Sequence, residues 1–249
     1  MRRLSLALVA MLLLNSCALP PVQELPGRML AAAREQAQRM VALQLQRQLG
    51  ERIPQVLQLL AQPGGYLNNP LVRILLPPPL GLALTVALDL TAHPETPPLQ
   101  ILLNRAAEQA IPGAGPILAE TLRQFPPDEV MRLLAAGDTA VTDSLRQRSY
   151  QLVTNVVEAK IASELAQSGA VRQYQELKAA YEAQQALQPP ELQATLENPL
   201  AELENHVTTA AVDGLFRVLA EEEQALRAQL PDPDDYRLEM PGMPGPHPQ

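Results

Sequence analysis

Ala211-Val-Asp-Gly-Leu-Phe-Arg-Val-Leu-Ala-Glu-Glu-Glu-Gln-Ala-Leu-Arg-Ala-Gln-Leu230 decides the fold class. At 100° per residue, Val212, Leu215, Leu219, Leu226 and Leu230 fall on one stripe, the spacing of a helix with a single buried face. Glu222 and Glu223 lie within that stripe, whereas Glu221 projects to the polar side. A carboxylate on the apolar face needs a partner, because burying an unpaired charge is costly. Arg105 and Arg146, from other parts of the chain, are the candidate partners.

The same period recurs outward from this stretch. It predicts helices over 29–49, 99–111, 117–124, 128–135, 139–165, 170–187 and 206–229, separated by Pro63-Gly64-Gly65, Pro77-Pro78-Pro79, Pro112-Gly113, Pro126-Pro127, Gly137 and Pro189-Pro190. No segment alternates in the manner of a sheet strand, and only Leu71–Leu76 reads as a brief extended piece. Asn69-Pro70 and Asn198-Pro199 each read as a cap residue followed by proline at the first helical position. Beyond Pro231 the composition turns to Pro, Gly, Asp and Met, too poor in apolar surface to offset its ordering entropy. Aromatic residues are 3% of the chain, so the core must be built from Leu, Val, Ile and Ala. The fold expected is all-α: an irregular multi-helix bundle with at most one short extended segment and a flexible Pro-rich C-terminal tail.

The amino terminus carries an address. Arg2 and Arg3 precede an apolar run from Leu4 to Leu14, and Leu14-Asn15-Ser16 leads into Cys17, the only cysteine. That is the layout of a secretory signal, and about eleven apolar residues are too few to span a bilayer. The segment resembles the lipobox of bacterial lipoproteins, which implies cleavage before Cys17, acylation of its thiol and amino group, and membrane anchoring. Ala18 at the following position favours the outer membrane by the sorting rule of those proteins. The expected organisation is a signal peptide over 1–16, a lipidated tether over 17–27, a helical domain over 28–230 and a tail over 231–249. A lone cysteine excludes an internal disulfide. Without Arg2 and Arg3 the chain carries 17 basic against 27 acidic residues, which disfavours nucleic acid as a partner. Arg28, Arg34, Arg39, Arg47 and Arg52 concentrate positive charge near the tether, within about 35 Å of extended chain from Cys17 to Arg28. Read from sequence, they are an ordinary solvated helical face, with contact to anionic headgroups the alternative.

Four ordered blocks complete the reading. Pro63-Gly-Gly-Tyr-Leu-Asn-Asn-Pro-Leu-Val-Arg-Ile74 followed by Pro79-Leu80, Leu103-Asn-Arg-Ala-Ala-Glu-Gln-Ala-Ile-Pro112, Gly137-Asp-Thr-Ala-Val-Thr142 with Arg146, and Ala211 to Glu223 with Arg227 resemble the domain-of-unknown-function 4197 family of bacterial envelope proteins. The resemblance spans about 50–230 and departs from the family at Ser144-Leu145, where an aromatic is usual, and in the proline-rich tail. It implies an exported helical domain and assigns no activity. The blocks are expected to meet in one polar cluster of Asn104, Arg105, Glu108, Thr142, Arg146, Asp213, Glu222 and Glu223, with Asn104, Arg105 and Glu108 sharing the polar side of their helix and Glu223 or Glu222 opposite an arginine; the alternative, weighed evenly, is that the triple glutamate is a solvated face near the helix end.

Chemistry has little footing in these residues. Of three histidines, His93 and His247 fall in Pro-rich segments, and His206 stands on a helix with only Glu202 beside it, short of the three or four ligands of a zinc site. Neither a di-metal carboxylate pattern, a nucleophile elbow, a phosphate loop nor a dinucleotide glycine motif occurs. The sequence therefore reads as a noncatalytic interaction or scaffold module without a cofactor, bound to the membrane through Cys17 and to an envelope protein partner. A carrier of a hydrophobic ligand, with Ala106, Ala107 and Ala110 making room between helices, is the alternative; a hydrolase using carboxylates such as Glu108 and Glu223 is the remote one. Oligomeric state is not encoded in any pattern.

Overall fold

The computed structural model describes residues 25–77, 98–185 and 199–230. Cys17, the signal, most of the tether and the tail lie outside these residues, as do His93, His247 and Asn198. Within them the chain forms α1 (Leu25–Ala61), α2 (Pro98–Ala110), a 3-10 turn (Ile111–Ala114), α3 (Gly115–Arg123), α4 (Pro127–Ala136), α5 (Ala140–Ser168), α6 (Ala170–Gln185) and α7 (Pro199–Arg227). No strand occurs among the described residues. The architecture is all-α, as the periodicity required. Ala42–Leu230 form one compact unit, and the helix preceding Ala42 belongs to a second.

α5 organises the compact unit because of its repeat. Val141, Leu145, Ser149, Val153, Val157, Ile161 and Leu165 are all buried at strict four-residue spacing. Four residues overshoot a helical turn, so the stripe drifts by about 40° at each step and winds around the helix. α5 consequently packs against α2, α3, α4, α6, α7 and the 3-10 turn. Its C-terminus closes on Gly169 at φ 79°, the left-handed conformation that lets α6 start at once. Ala106, Ala107 and Ala110 of α2 are buried in the same core.

Two expectations about helix boundaries are corrected. α1 continues past Leu49 and through Pro54 to Ala61. Pro54 is on the exposed side, opposite a buried seam of Ala42, Leu45, Leu49, Ile53, Val56 and Leu60. The carbonyl of Gly50 loses its i+4 donor to the proline ring, a cost the helix absorbs without ending. Asn69-Pro70 does not start a helix. The Asn69 side chain accepts the Leu71 N–H at 3.0 Å, a local turn that competes with helical capping. Pro199, in contrast, opens α7 as expected.

Between α1 and residue 77 the chain runs as a strap of turns and irregular backbone. Gly64 sits at φ 88°, and a Cβ on Gly65 would lie 2.4 Å from the Leu60 carbonyl oxygen, so the Pro-Gly-Gly break admits only glycine. Tyr66 is fully buried and donates its hydroxyl to the Ala211 carbonyl at 2.8 Å. Gly214 of α7 makes room for the strap: a Cβ there would meet Val72 at 3.1 Å and the Tyr66 ring at 3.3 Å.

Candidate functional site

The expected single cluster is resolved into three separate stations. The first two hold the fold. Asn104 and Glu108, one turn apart on α2, are buried, whereas Arg105 between them is exposed. Asn104 Oδ1 accepts the Ile74 N–H at 2.9 Å while its Nδ2 donates to the Ile74 carbonyl at 2.8 Å and to the Gln100 carbonyl at 2.8 Å. The side chain thus gives the Leu71–Leu76 segment the pairing that a neighbouring strand would supply, and the segment needs no sheet. Glu108 Oε1 accepts the backbone N–H groups of Gly64 at 3.0 Å, Tyr66 at 3.3 Å and Leu67 at 3.4 Å. Burial and the nearby Glu108 charge push the Tyr66 hydroxyl far above its ordinary range. His206 bonds the Leu75 carbonyl at 2.8 Å, and Arg217 donates to the Leu71 carbonyl at 2.6 Å. The strap is pinned along its length by side chains of α2 and α7.

Glu223 is the second station. It is fully buried, unlike Glu222 on the same stripe, and its cation is Arg227 and not Arg105 or Arg146. Arg227 donates through Nε at 2.9 Å and Nη2 at 2.6 Å to Glu223 Oε1. The same carboxylate accepts the N–H groups of Val141 at 3.2 Å and Thr142 at 2.6 Å. Those are first-turn donors of α5, whose own cap residue Thr139 makes no side-chain cap bond. Thr142 further reaches the Leu219 carbonyl through its hydroxyl at 3.5 Å. Arg227 also donates to the Leu134 and Leu133 carbonyls at 2.9 and 3.3 Å. One ion pair on α7 therefore caps the end of α4 and the start of α5 on either side of Gly137, each charge placed where the helix dipole favours it. Glu222 is apart from this station: it is partly exposed and lies 3.5 Å from Arg52 of α1.

Only the third station faces solvent. Arg146 Nη2 donates to Asp213 Oδ1 at 2.6 Å, and the Tyr150 hydroxyl donates to the same oxygen at 3.0 Å. The guanidinium carbon lies 5.1 Å from the centroid of Tyr150 and 5.8 Å from that of Phe216, and the two rings stack at 6.2 Å. Phe216 is the buried floor, while the Arg146 side chain retains 44% of its exposure. Desolvation and then the Asp213 carboxylate, as hydrogen-bond acceptor and as charge, raise the Tyr150 pKa. Asp143, Arg146, Gln147 and Tyr150 line an open groove of about 350 Å³ beside the cluster. Asp143 is engaged by the Thr139 hydroxyl at 2.9 Å and Arg146 by Asp213, so the two opposite charges on the groove are held by other groups.

Sequence reasoning assigned Asp213 and Arg146 to the site but missed Tyr150 and Phe216. The signal was available, since Tyr150 stands four residues after Arg146 and Phe216 three after Asp213, both on neighbouring turns. Arg227 was likewise within reach, four residues beyond Glu223. Among the described residues no three His, Cys, Asp or Glu side chains gather to hold a metal, and no helix is long and apolar enough to cross a membrane.

These features define an all-α bundle whose buried polar residues cap backbone groups and whose arginine–tyrosine–aspartate cluster is presented at the surface. The chain belongs to the DUF4197 family, described as a protein of unknown function, whose model matches residues 36–235. No curated protein and no solved structure has significant similarity to it.

Proposed function

We propose that this chain is a noncatalytic interaction module of the cell envelope, held on the periplasmic face of the outer membrane by an acylated Cys17 and docking a protein partner at the Arg146 groove. The observation that carries the docking surface is the order imposed on a half-exposed arginine. Asp213 fixes its guanidinium, and Tyr150 and Phe216 fix its plane. A surface ion pair contributes little to stability, about 0–1 kcal/mol, so such fixing gains little for the fold. It does lower the side-chain entropy lost on binding, and arginine and tyrosine are the residue types enriched at binding hot spots.

The carboxylates that an enzyme would use support the noncatalytic reading. Glu108 is bonded to three backbone N–H groups and Glu223 to two backbone N–H groups and Arg227. Both groups are turned toward backbone donors within the fold. The burial of Ala106, Ala107 and Ala110 in the core favours the interaction module over the hydrophobic carrier.

The test is a photo-crosslinking residue placed at Gln147, in the groove, and separately at exposed Glu158 farther along α5, in the native envelope. A discrete crosslinked species from position 147 that position 158 does not give supports docking at this face. The same products from both positions, or none from 147, contradict it.

A further inference from the structure

The amino-terminal half of α1 has a chemistry that neither the core nor the groove uses. From Gly27 to Met40 every residue whose side chain is described is exposed or half-exposed. Met29 is 71% exposed and Met40 is 60% exposed. Eleven residues separate them, three turns of helix with only about 20° of rotation, so the two methionines share one face about 16 Å apart. Ala32 and Ala33 fall on the same side of the helix, and both sit between Met29 and Met40 in the chain. Arg28, Arg34 and Arg39 stand against a single acid, Glu35, over 28–40, in a chain whose overall charge is −8.

We infer that residues 25–40 form a membrane-surface helix, which lays Met29 and Met40 into the headgroup boundary of an anionic bilayer while the net positive charge over 28–40 favours that surface. Large unpaired apolar side chains on a positively charged helix are the pattern of an interfacial segment. Chain length selects the occupant. Only seven residues lie between Cys17 and Leu25, and eight residue steps of extended chain reach at most about 28 Å, so an acyl chain on Cys17 keeps this helix beside the bilayer. A single acyl chain is marginal as an anchor and a second membrane signal consolidates it. The inference rests on the lipid-anchored reading for the helix's location, but its own chemistry is tested without the lipid.

The test uses the chain from residue 17 to 249 carrying Cys17→Ser, and vesicles of phosphatidylcholine alone or of three parts phosphatidylcholine to one part phosphatidylglycerol. Co-sedimentation is expected to be more than about tenfold stronger on the anionic vesicles, since each arginine near such a surface gains about fivefold, and to weaken as salt rises. Met29→Asp with Met40→Asp should remove most of that binding, whereas Leu152→Asp, at an exposed apolar position of α5, should leave it intact. Equal binding to both vesicle types, no effect of the paired methionine substitutions, or an equal loss from Leu152→Asp overturns the inference. Acylation of the wild-type amino terminus, read separately by mass, stands or falls on its own.

Discussion

Replacing Glu223 by alanine tests the internal logic of the bundle most severely. The carboxylate has no solvent exposure and accepts four bonds: two from the first turn of α5 and two from Arg227, whose side chain is 11% exposed. The substitution strands a buried guanidinium with only the Leu133 and Leu134 carbonyls, and strands two helix N-terminal donors with nothing. Removing one partner of a buried pair costs about 3–5 kcal/mol. For a domain of this size that corresponds to a fall in melting temperature of about 6–20 °C. Glu223→Gln should also destabilise, because whichever oxygen becomes NH2 then faces an N–H donor. Glu221→Ala, on the exposed side of the same helix, should cost less than about 0.5 kcal/mol. Urea denaturation of the three variants, with Arg227→Ala and the Glu223→Ala/Arg227→Ala double variant, provides the assay. The Glu223–Arg227 cycle should couple by at least about 1 kcal/mol, and the same cycle with Arg105 should be additive. Equal, small losses at Glu221 and Glu223 would refute the reasoning.

Asn104→Ala should cost about 2–5 kcal/mol in the same assay, since it leaves both buried polar groups of Ile74 unpaired; a loss below about 1 kcal/mol would mean the strap holds without it. In alkaline titration followed by tyrosinate absorbance, Tyr66, Tyr150 and Tyr174 should all ionise above the ordinary range near pH 10, and Tyr66 only as the protein unfolds. The sign follows from linkage: raised folded pKa values contribute stability in full below about pH 10, and that contribution is lost as pH rises toward the folded values. Midpoints that do not fall above pH 10, with all five tyrosines titrating together, would contradict the burial. Cys17→Ser should abolish acylation and move the protein out of the membrane fraction, checked by amino-terminal mass and fractionation; unchanged retention together with an unmodified wild-type terminus would remove the anchor.

The helices were legible because their signal is local. The four-residue repeat of α5 and the stripe from Val212 to Leu230 state their own period and their own buried face. α1 runs beyond 49 because Pro54 falls on its exposed side, and which side faces solvent depends on which seam packs inward. The stripe marked Glu222 and Glu223 as candidates for burial, but neither which of them is buried nor what balances it. Val141 and Thr142, its backbone partners, are some eighty positions away, and backbone N–H groups carry no mark in a sequence. Asn104 and Arg105 show the same limit. They are adjacent and both polar, yet one pins the strap and the other meets water, because only a 100° rotation separates the two directions. The Arg146 cluster was half visible, in its charges, and its aromatic half emerged only when α5 and α7 were brought together.

Arg146 either belongs to the proposed docking face or helps hold the bundle, and one measurement sets those roles against each other. It is the yield of the Gln147 photo-crosslink in the envelope when Arg146 is replaced by alanine, read beside the melting temperature of the same variant. Arg146→Ala should lower the yield by about tenfold or more, as loss of a hot-spot side chain does, while shifting the melting temperature by no more than about 4 °C. An unchanged yield, or a collapse of stability comparable to that of Glu223→Ala, would place Arg146 among the structural residues and contradict the proposed docking face.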